Sequence, residues 1–189
     1  MSTLIGQLGN LASPPTITPA CRLSLGGAIA RTGAGAAASG ASPWSDAANC
    51  LLACPFVLET KTTFYKGFWV NGTAAGGNTE VGIWDSAYNK ITTTGSVAGS
   101  GNSVPQVAAL AATTTVPPGN YYMGIAHSAT TTGQLYRWAA ALSAYWQALG
   151  CWKQASITLG SLAATATPGD MTNVAFPIFG LITRSVFDV

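Results

Sequence analysis

The sequence predicts an all-β protein: an antiparallel β-sandwich of jelly-roll-like type, with an extended N-terminal arm over residues 1–48 and one short helical or irregular insertion near 139–150. Three observations carry this. From residue 49 onward, short segments rich in β-branched and aromatic residues follow one another at spacings of about ten residues. Gly, Pro and Asn turn signals separate them. Residues 139–150, rich in Ala and Leu, are the one region with helical character.

Residues 1–48 hold Ser13-Pro14-Pro15, Pro19, Pro43 and a Gly/Ala run from Gly26 to Gly40, and no apolar period persists in them. They read as an arm, with Leu23 and Leu25 a short strand. Leu4, Ile5, Leu8 and Leu11 form an apolar stripe at its start and are the candidate residues for gripping a neighbour. A disordered tail is the alternative.

The sandwich, residues 49–189, begins with Leu51 to Glu59, where Pro55 suits an edge strand. Thr62 to Val70 is dense in Thr and aromatics. Asn71-Gly72 and Gly76-Gly77-Asn78 are turns. Thr79 to Asp85 puts Val81 and Ile83 on one face, and Lys90 to Val97 runs back. After the Gly99-Ser100-Gly101-Asn102 loop comes Val104 to Leu110, which Thr113 to Val116 continues. Pro117-Pro118-Gly119-Asn120 is a turn. Tyr121 to His127 alternates, with Tyr121, Met123 and Ile125 on one face and Tyr122, Gly124 and Ala126 on the other. Gln134 to Trp138 follows the polar Thr130-Thr131-Thr132-Gly133 loop, Pro168-Gly169 turns the chain, and Ala175 to Thr183 closes the fold.

Composition bounds the function. Charged residues make up 7% and hydrophobic residues 48%, against roughly 25% charged in an average soluble domain. A neutral coat of Ser and Thr hydroxyls is one explanation. Obligate assembly is the other and the expectation, because six Trp, six Tyr and six Phe suit interfaces as well as cores. The net charge of +2 is scattered, with no basic run to track a nucleic-acid backbone or to attach to a membrane surface. Met1 to Asn10 lacks the basic start and apolar stretch of a signal peptide, and Trp138 to Trp152 is too short and too polar to span a bilayer. No nucleic acid, no membrane and no cofactor are therefore expected.

Cys21, Cys50, Cys54 and Cys151 fit no zinc-site spacing and read as small buried hydrophobes made in a reducing cytoplasm. A disulfide formed after release is the alternative, with Cys50 and Cys54 nearest in sequence.

Reactive groups are sparse. His127, the sole histidine, precedes Ser128, but a triad needs a converging acid and a shielded nucleophile. Glu80 and Asp85, five apart on a strand, point to opposite faces and make a poor acid/base pair. Gly33-x-Gly35 with Gly40 lacks the preceding strand and following Lys of a phosphate loop. Asn71-Gly72-Thr73 matches a glycosylation sequon, for which a turn is sufficient reading. No catalytic or metal-binding residue is assigned. Tyr145, Trp146 and Trp152 are read by default as core or subunit interface. Trp146 and Trp152 are the candidate contacts, and stacking on sugars is the alternative use.

The run from Phe68 through Val70-Asn71-Gly72 and Gly77-Asn78-Thr79-Glu80-Val81-Gly82-Ile83-Trp84-Asp85, then Thr92 to Ser100, Val104-Pro105-Gln106-Val107 and Pro117-Pro118-Gly119-Asn120-Tyr121-Tyr122-Met123-Gly124-Ile125-Ala126, resembles a family of tailed-phage virion proteins. Their pattern runs GN-x-x-VGIYD, a TGS-type strand, PG-x-YY and an aromatic-rich closing strand. Trp84 stands where the family has Tyr, and the resemblance covers about residues 50–185. It implies a jelly-roll-like sandwich, often trimeric, placed as a head-decoration (cement) protein or in fibres, without catalytic residues. The expected partners are copies of itself in a homotrimer and a major capsid or other virion protein, in a particle assembled in the host cytoplasm. A tail or head fibre that contacts host glycans through loops such as Gly99–Asn102 and Thr130–Gly133 is the alternative. Residues 1–48 match no known pattern.

Overall fold

The computed structural model describes residues 21–23, 29–32, 38–43, 49–128, 134–138, 143–172 and 176–183. Thirteen strands and one short helix occur there: β1 (Cys21–Leu23), β2 (Ile29–Thr32), β3 (Ala38–Pro43), β4 (Cys50–Leu58), β5 (Thr62–Val70), β6 (Asn78–Asp85), β7 (Lys90–Thr93), β8 (Val97–Ala98), β9 (Pro105–Val116), β10 (Gly119–His127), β11 (Gln134–Trp138), α1 (Ser143–Ala148), β12 (Trp152–Gln154) and β13 (Phe179–Ile182).

They form an antiparallel β-sandwich. One sheet has the order β1-β2-β13-β5-β9. The facing sheet has the order β12-β4-β10-β6-β7, with β8 also on β6, and β11 pairs with β3 in a small third sheet. Between β4 and β10 the chain changes sheet at Glu59–Lys61, at 71–77, at 99–104 and at Pro117-Pro118. At the last corner the Tyr121 hydroxyl donates to the Pro117 carbonyl at 2.9 Å, a bond that braces the turn where Pro has no N–H to offer.

The core follows from strand alternation. Cys50, Leu52, Cys54, Phe56 and Leu58 of β4, Val81 and Ile83 of β6, and Tyr121, Met123 and Ile125 of β10 face Phe64, Trp69, Leu110, Val116, Phe179 and Leu181 of the opposite sheet. Phe56 meets Phe64 edge-on at 6.2 Å, and Phe176 stacks on Phe179 at 6.0 Å.

The intervening residues are buried too. Leu51, Ala53, Trp84, Ala126 and Trp152 form a second apolar cluster with Leu162, Ala166, Ile157 and Leu159 on the outer face of the β4 sheet. The covering layer is a strap, residues 155–169, without regular strand structure. Its backbone is tied down by Ile157 N to Asn49 O, Lys90 N to Ala164 O, Ala166 N to Tyr88 O and Gly169 N to Lys153 O, at 2.7 to 2.9 Å. Two-sided burial explains why Leu51 to Cys54 is continuously apolar.

Several expectations are revised. Residues 21–43, read as arm, supply three strands. Of these, β2 pairs with β13 and β3 with β11, so this part of the segment is built into the sheets. Residues 1–20 lie outside the described residues. Strand β4 is an edge in one half only: β12 covers Leu51–Ala53, while at Pro55 the sole strand neighbour among the described residues is β10, which accommodates the missing N–H. Thr113 to Val116 continues the strand as expected, in one strand β9, with a bulge in which Leu110 to Thr113 stand opposite the single Tyr65. The Cys50–Cys54 bridge is ruled out by geometry, because four residues along a strand separate the pair by about 13 Å. Helical character near 139–150 is found as α1, and the strands at Thr62–Val70, Tyr121–His127 and Gln134–Trp138 lie where the sequence places them.

Candidate functional site

The groups that the sequence offers for chemistry are held apart and used structurally. His127 ends β10, is 1% exposed, and its Nδ1 shares a 2.8 Å hydrogen bond with Thr79 Oγ1. Burial lowers its pKa to about 4, against a smaller upward effect of a hydrogen bond with the Asn78 backbone, so the ring is neutral near pH 7. Ser128 turns away from it, its Oγ accepting from Asn78 N at 2.9 Å. The pair is a strand-end clasp between β6 and β10.

Glu80 is 2% exposed on the outer face. Thr93 Oγ1 donates to its Oε1 at 2.6 Å, and Gly160 N donates to its Oε2 at 2.7 Å. Asp85 caps the turn after β6, accepting from Ala87 N, Asn89 N and Asn89 Nδ2 at 2.8 to 3.0 Å. The Asn89 side-chain bond is the main cause that holds its carboxyl below the usual range, burial opposing. The two acids therefore serve different faces, as the alternation requires.

Cys151 is buried, and burial together with neighbouring Cys54 pushes its thiol pKa upward, which disfavours the nucleophilic thiolate. Among the described residues no group of three His, Cys, Asp or Glu side chains gathers to hold a metal, and no helix is long and apolar enough to cross a membrane. Gly40 lies in β3 and Gly33 and Gly35 fall outside the described residues. Asn71 is 2% exposed. It accepts from Trp69 Nε1 at 3.0 Å and donates from Nδ2 to Ser100 O at 2.7 Å and to Gln106 Oε1 at 3.0 Å. The sequon asparagine is thus a buried clasp for the 99–104 crossing.

Of the candidate contact residues, Leu4, Ile5, Leu8 and Leu11 lie outside the described residues. Trp146 and Trp152 are each 5% exposed. Trp146 packs on Phe176 at 5.2 Å. Trp152 meets Tyr88 and Tyr122 edge-on at 5.8 and 5.7 Å. Both belong to the core, so neither presents a free ring face to a sugar or a partner. Burial, with help from the Tyr88 hydroxyl, pushes Tyr122 up to about 12. Two shallow grooves flank residues 168–170. One, about 520 Å³, is bordered by Gln147, Cys151 and Met171. The other, about 600 Å³, is bordered by Lys153, Gln154 and Thr172. Lys153 Nζ donates to Thr172 Oγ1 at 3.1 Å, and no reactive set converges in either groove.

What the sequence reading missed is an edge. β9 is twelve residues long and terminates its sheet. Ala109, Ala111, Ala112, Thr113 and Thr115 are exposed along it. The absence of any Asp, Glu, Lys or Arg between Ile91 and Tyr136 was the available signal. In comparisons with known proteins, no family model, no curated protein and no solved structure matches the chain.

Proposed function

We propose that the chain is a non-enzymatic structural protein of a phage particle, a capsid decoration or cement protein that acts by packing against copies of itself and against a shell protein. The observation that carries this reading is the fate of the ionisable groups. His127, Glu80 and Asp85 are each consumed by hydrogen bonds that hold strands, strap or turn in place. Among the described residues the exposed positions are mostly Ala, Thr, Ser, Gly and Asn, with Glu59, Lys61 and Asp170 the exposed charges, and a surface with so few charges to desolvate is the kind that buries well against protein. The sequence resemblance to phage virion proteins supports the same reading. The fibre alternative loses its stacking platform, because Trp146 and Trp152 are interior.

The test is cosedimentation. Purified chain is added to particles that lack it, and bound copies are counted after ultracentrifugation. Saturation at a fixed copy number, unchanged in a folded His127→Ala variant, is expected. Failure to bind any particle component, or a turnover that the His127→Ala change abolishes in a folded protein, overturns the reading.

A further inference from the structure

Native sheets blunt their open edges with short strands, charges, prolines or bulges, and the bulge of β9 interrupts only its middle. Among the described residues five strands end the two large sheets, since β7 and β8 both lie on β6. Four are short: β1 and β12 have three residues, β7 has four and β8 has two. The fifth, β9, has twelve, and with Leu110 to Thr113 bulged opposite Tyr65 it runs alongside the nine residues of β5, about 30 Å. It carries no charge, and its one proline, Pro105, is its first residue. No described strand pairs with its outer side. β7 packs against β9 near the bulge, where Thr92 Oγ1 reaches Ala112 O at 3.4 Å. Pro105–Ala109 and Thr114–Val116, the stretches that pair with β5, have no strand partner on the other side among the described residues.

We propose that β9 is a self-association edge that pairs antiparallel with β9 of a second copy about a two-fold axis. An edge that offers only backbone groups and small side chains selects a partner by shape and length. A second β9 matches both by symmetry, whereas the short edges β1, β7, β8 and β12 do not. Identical edges bearing charge would repel each other; these bear none. The exposed Ala109 and Ala111 let two backbones approach. Threonine suits the junction as well, as the 2.7 Å bond between Thr63 and Thr115 hydroxyls shows across β5 and β9. The product is one continuous sheet through both copies, closed by its two-fold. This deepens the assembly reading above and replaces its expected three-fold by a two-fold.

Sedimentation velocity of the full chain and of the Ala109→Lys/Ala111→Lys variant tests it. The wild type is expected to be dimeric, or an assembly of dimers, and the two lysines to weaken the dimer at least about 100-fold with unchanged circular dichroism. Single cysteines at Val107, Ala109, Ala111 and Thr113 provide a second measurement. At least one is expected to give an interchain disulfide on mild oxidation, where the wild type gives none. A wild type that is monomeric at about 100 µM, a trimer indifferent to the lysines, or a cysteine series without interchain bonds overturns the proposal. The last of these decides if the lysine variant fails to fold. A monomer that still cosediments with particles removes this interface and leaves the virion reading standing; a dimer that does not cosediment does the reverse.

Discussion

The buried carboxylate of Glu80 accepts a 2.7 Å hydrogen bond from the backbone N–H of Gly160, and so fastens the strap to the outer face of the sandwich. The second oxygen takes the Thr93 hydroxyl. Replacing Glu80 with Ala orphans both donors and is expected to cost about 3 kcal/mol. Glu80→Gln keeps one acceptor for Gly160 and turns its amide toward the Thr93 oxygen, for a cost of about 1 kcal/mol. Urea denaturation at pH 7 measures both, and equal losses would contradict the clasp.

His127 gives the fold a pH dependence. Its folded pKa, about 4, lies below the ordinary 6.5, so the unfolded chain binds the proton more readily. Stability is full above about pH 6.5, falls as pH drops, and levels off below about 4, a loss of about 3 kcal/mol from this group. His127→Asn retains a polar partner for Thr79 without the titration. The difference between the two proteins' unfolding free energies is expected to narrow by about that amount from pH 7 to 4.

Two tryptophans predict opposite responses to loss of the indole N–H. Trp69 Nε1 donates to Asn71, whereas Trp152 Nε1 is buried with no hydrogen-bond partner among the described residues. Trp69→Phe is expected to cost about 2 kcal/mol more than Trp152→Phe, because it leaves an acceptor unsatisfied. Trp152→Ala, which also empties the cluster with Tyr88 and Tyr122, is expected to cost about 4 kcal/mol. Thermal or urea unfolding orders the three.

Gly82 and Gly124 face each other across β6 and β10. A Cβ on Gly82 would sit 2.5 Å from Thr93 Cγ2 and 2.7 Å from the Thr92 carbonyl oxygen. Gly82→Ala is therefore expected to cost about 2–3 kcal/mol by overpacking, more than the loss of backbone freedom in the unfolded chain returns. An unchanged or raised midpoint would show that β7 yields at no cost.

The sandwich strands were legible because their signal is local. Tyr121 to His127 alternates, and each face of β10 meets the cluster that its alternation implies. The strap was not legible. Its Ser, Thr, Ala and Gly residues carry no helical or strand period, and its order comes from bonds to distant partners such as Glu80, Tyr88 and Lys90 that no spacing reveals. Strand β2 was missed because Ile29-Ala30-Arg31-Thr32 is short and flanked by glycines, and pairing with β13 near the other end of the chain supplies its order. Trp146 and Trp152 looked the same in sequence whether interior or exposed. Burial separates those cases, and it is a property of the packed layers.

The most direct test is a cryo-EM reconstruction of phage particles purified from cells that express this chain. Contact as the whole function predicts ordered copies at regular lattice positions, seated on shell protein. A particle whose reconstruction and protein content lack the chain would contradict it.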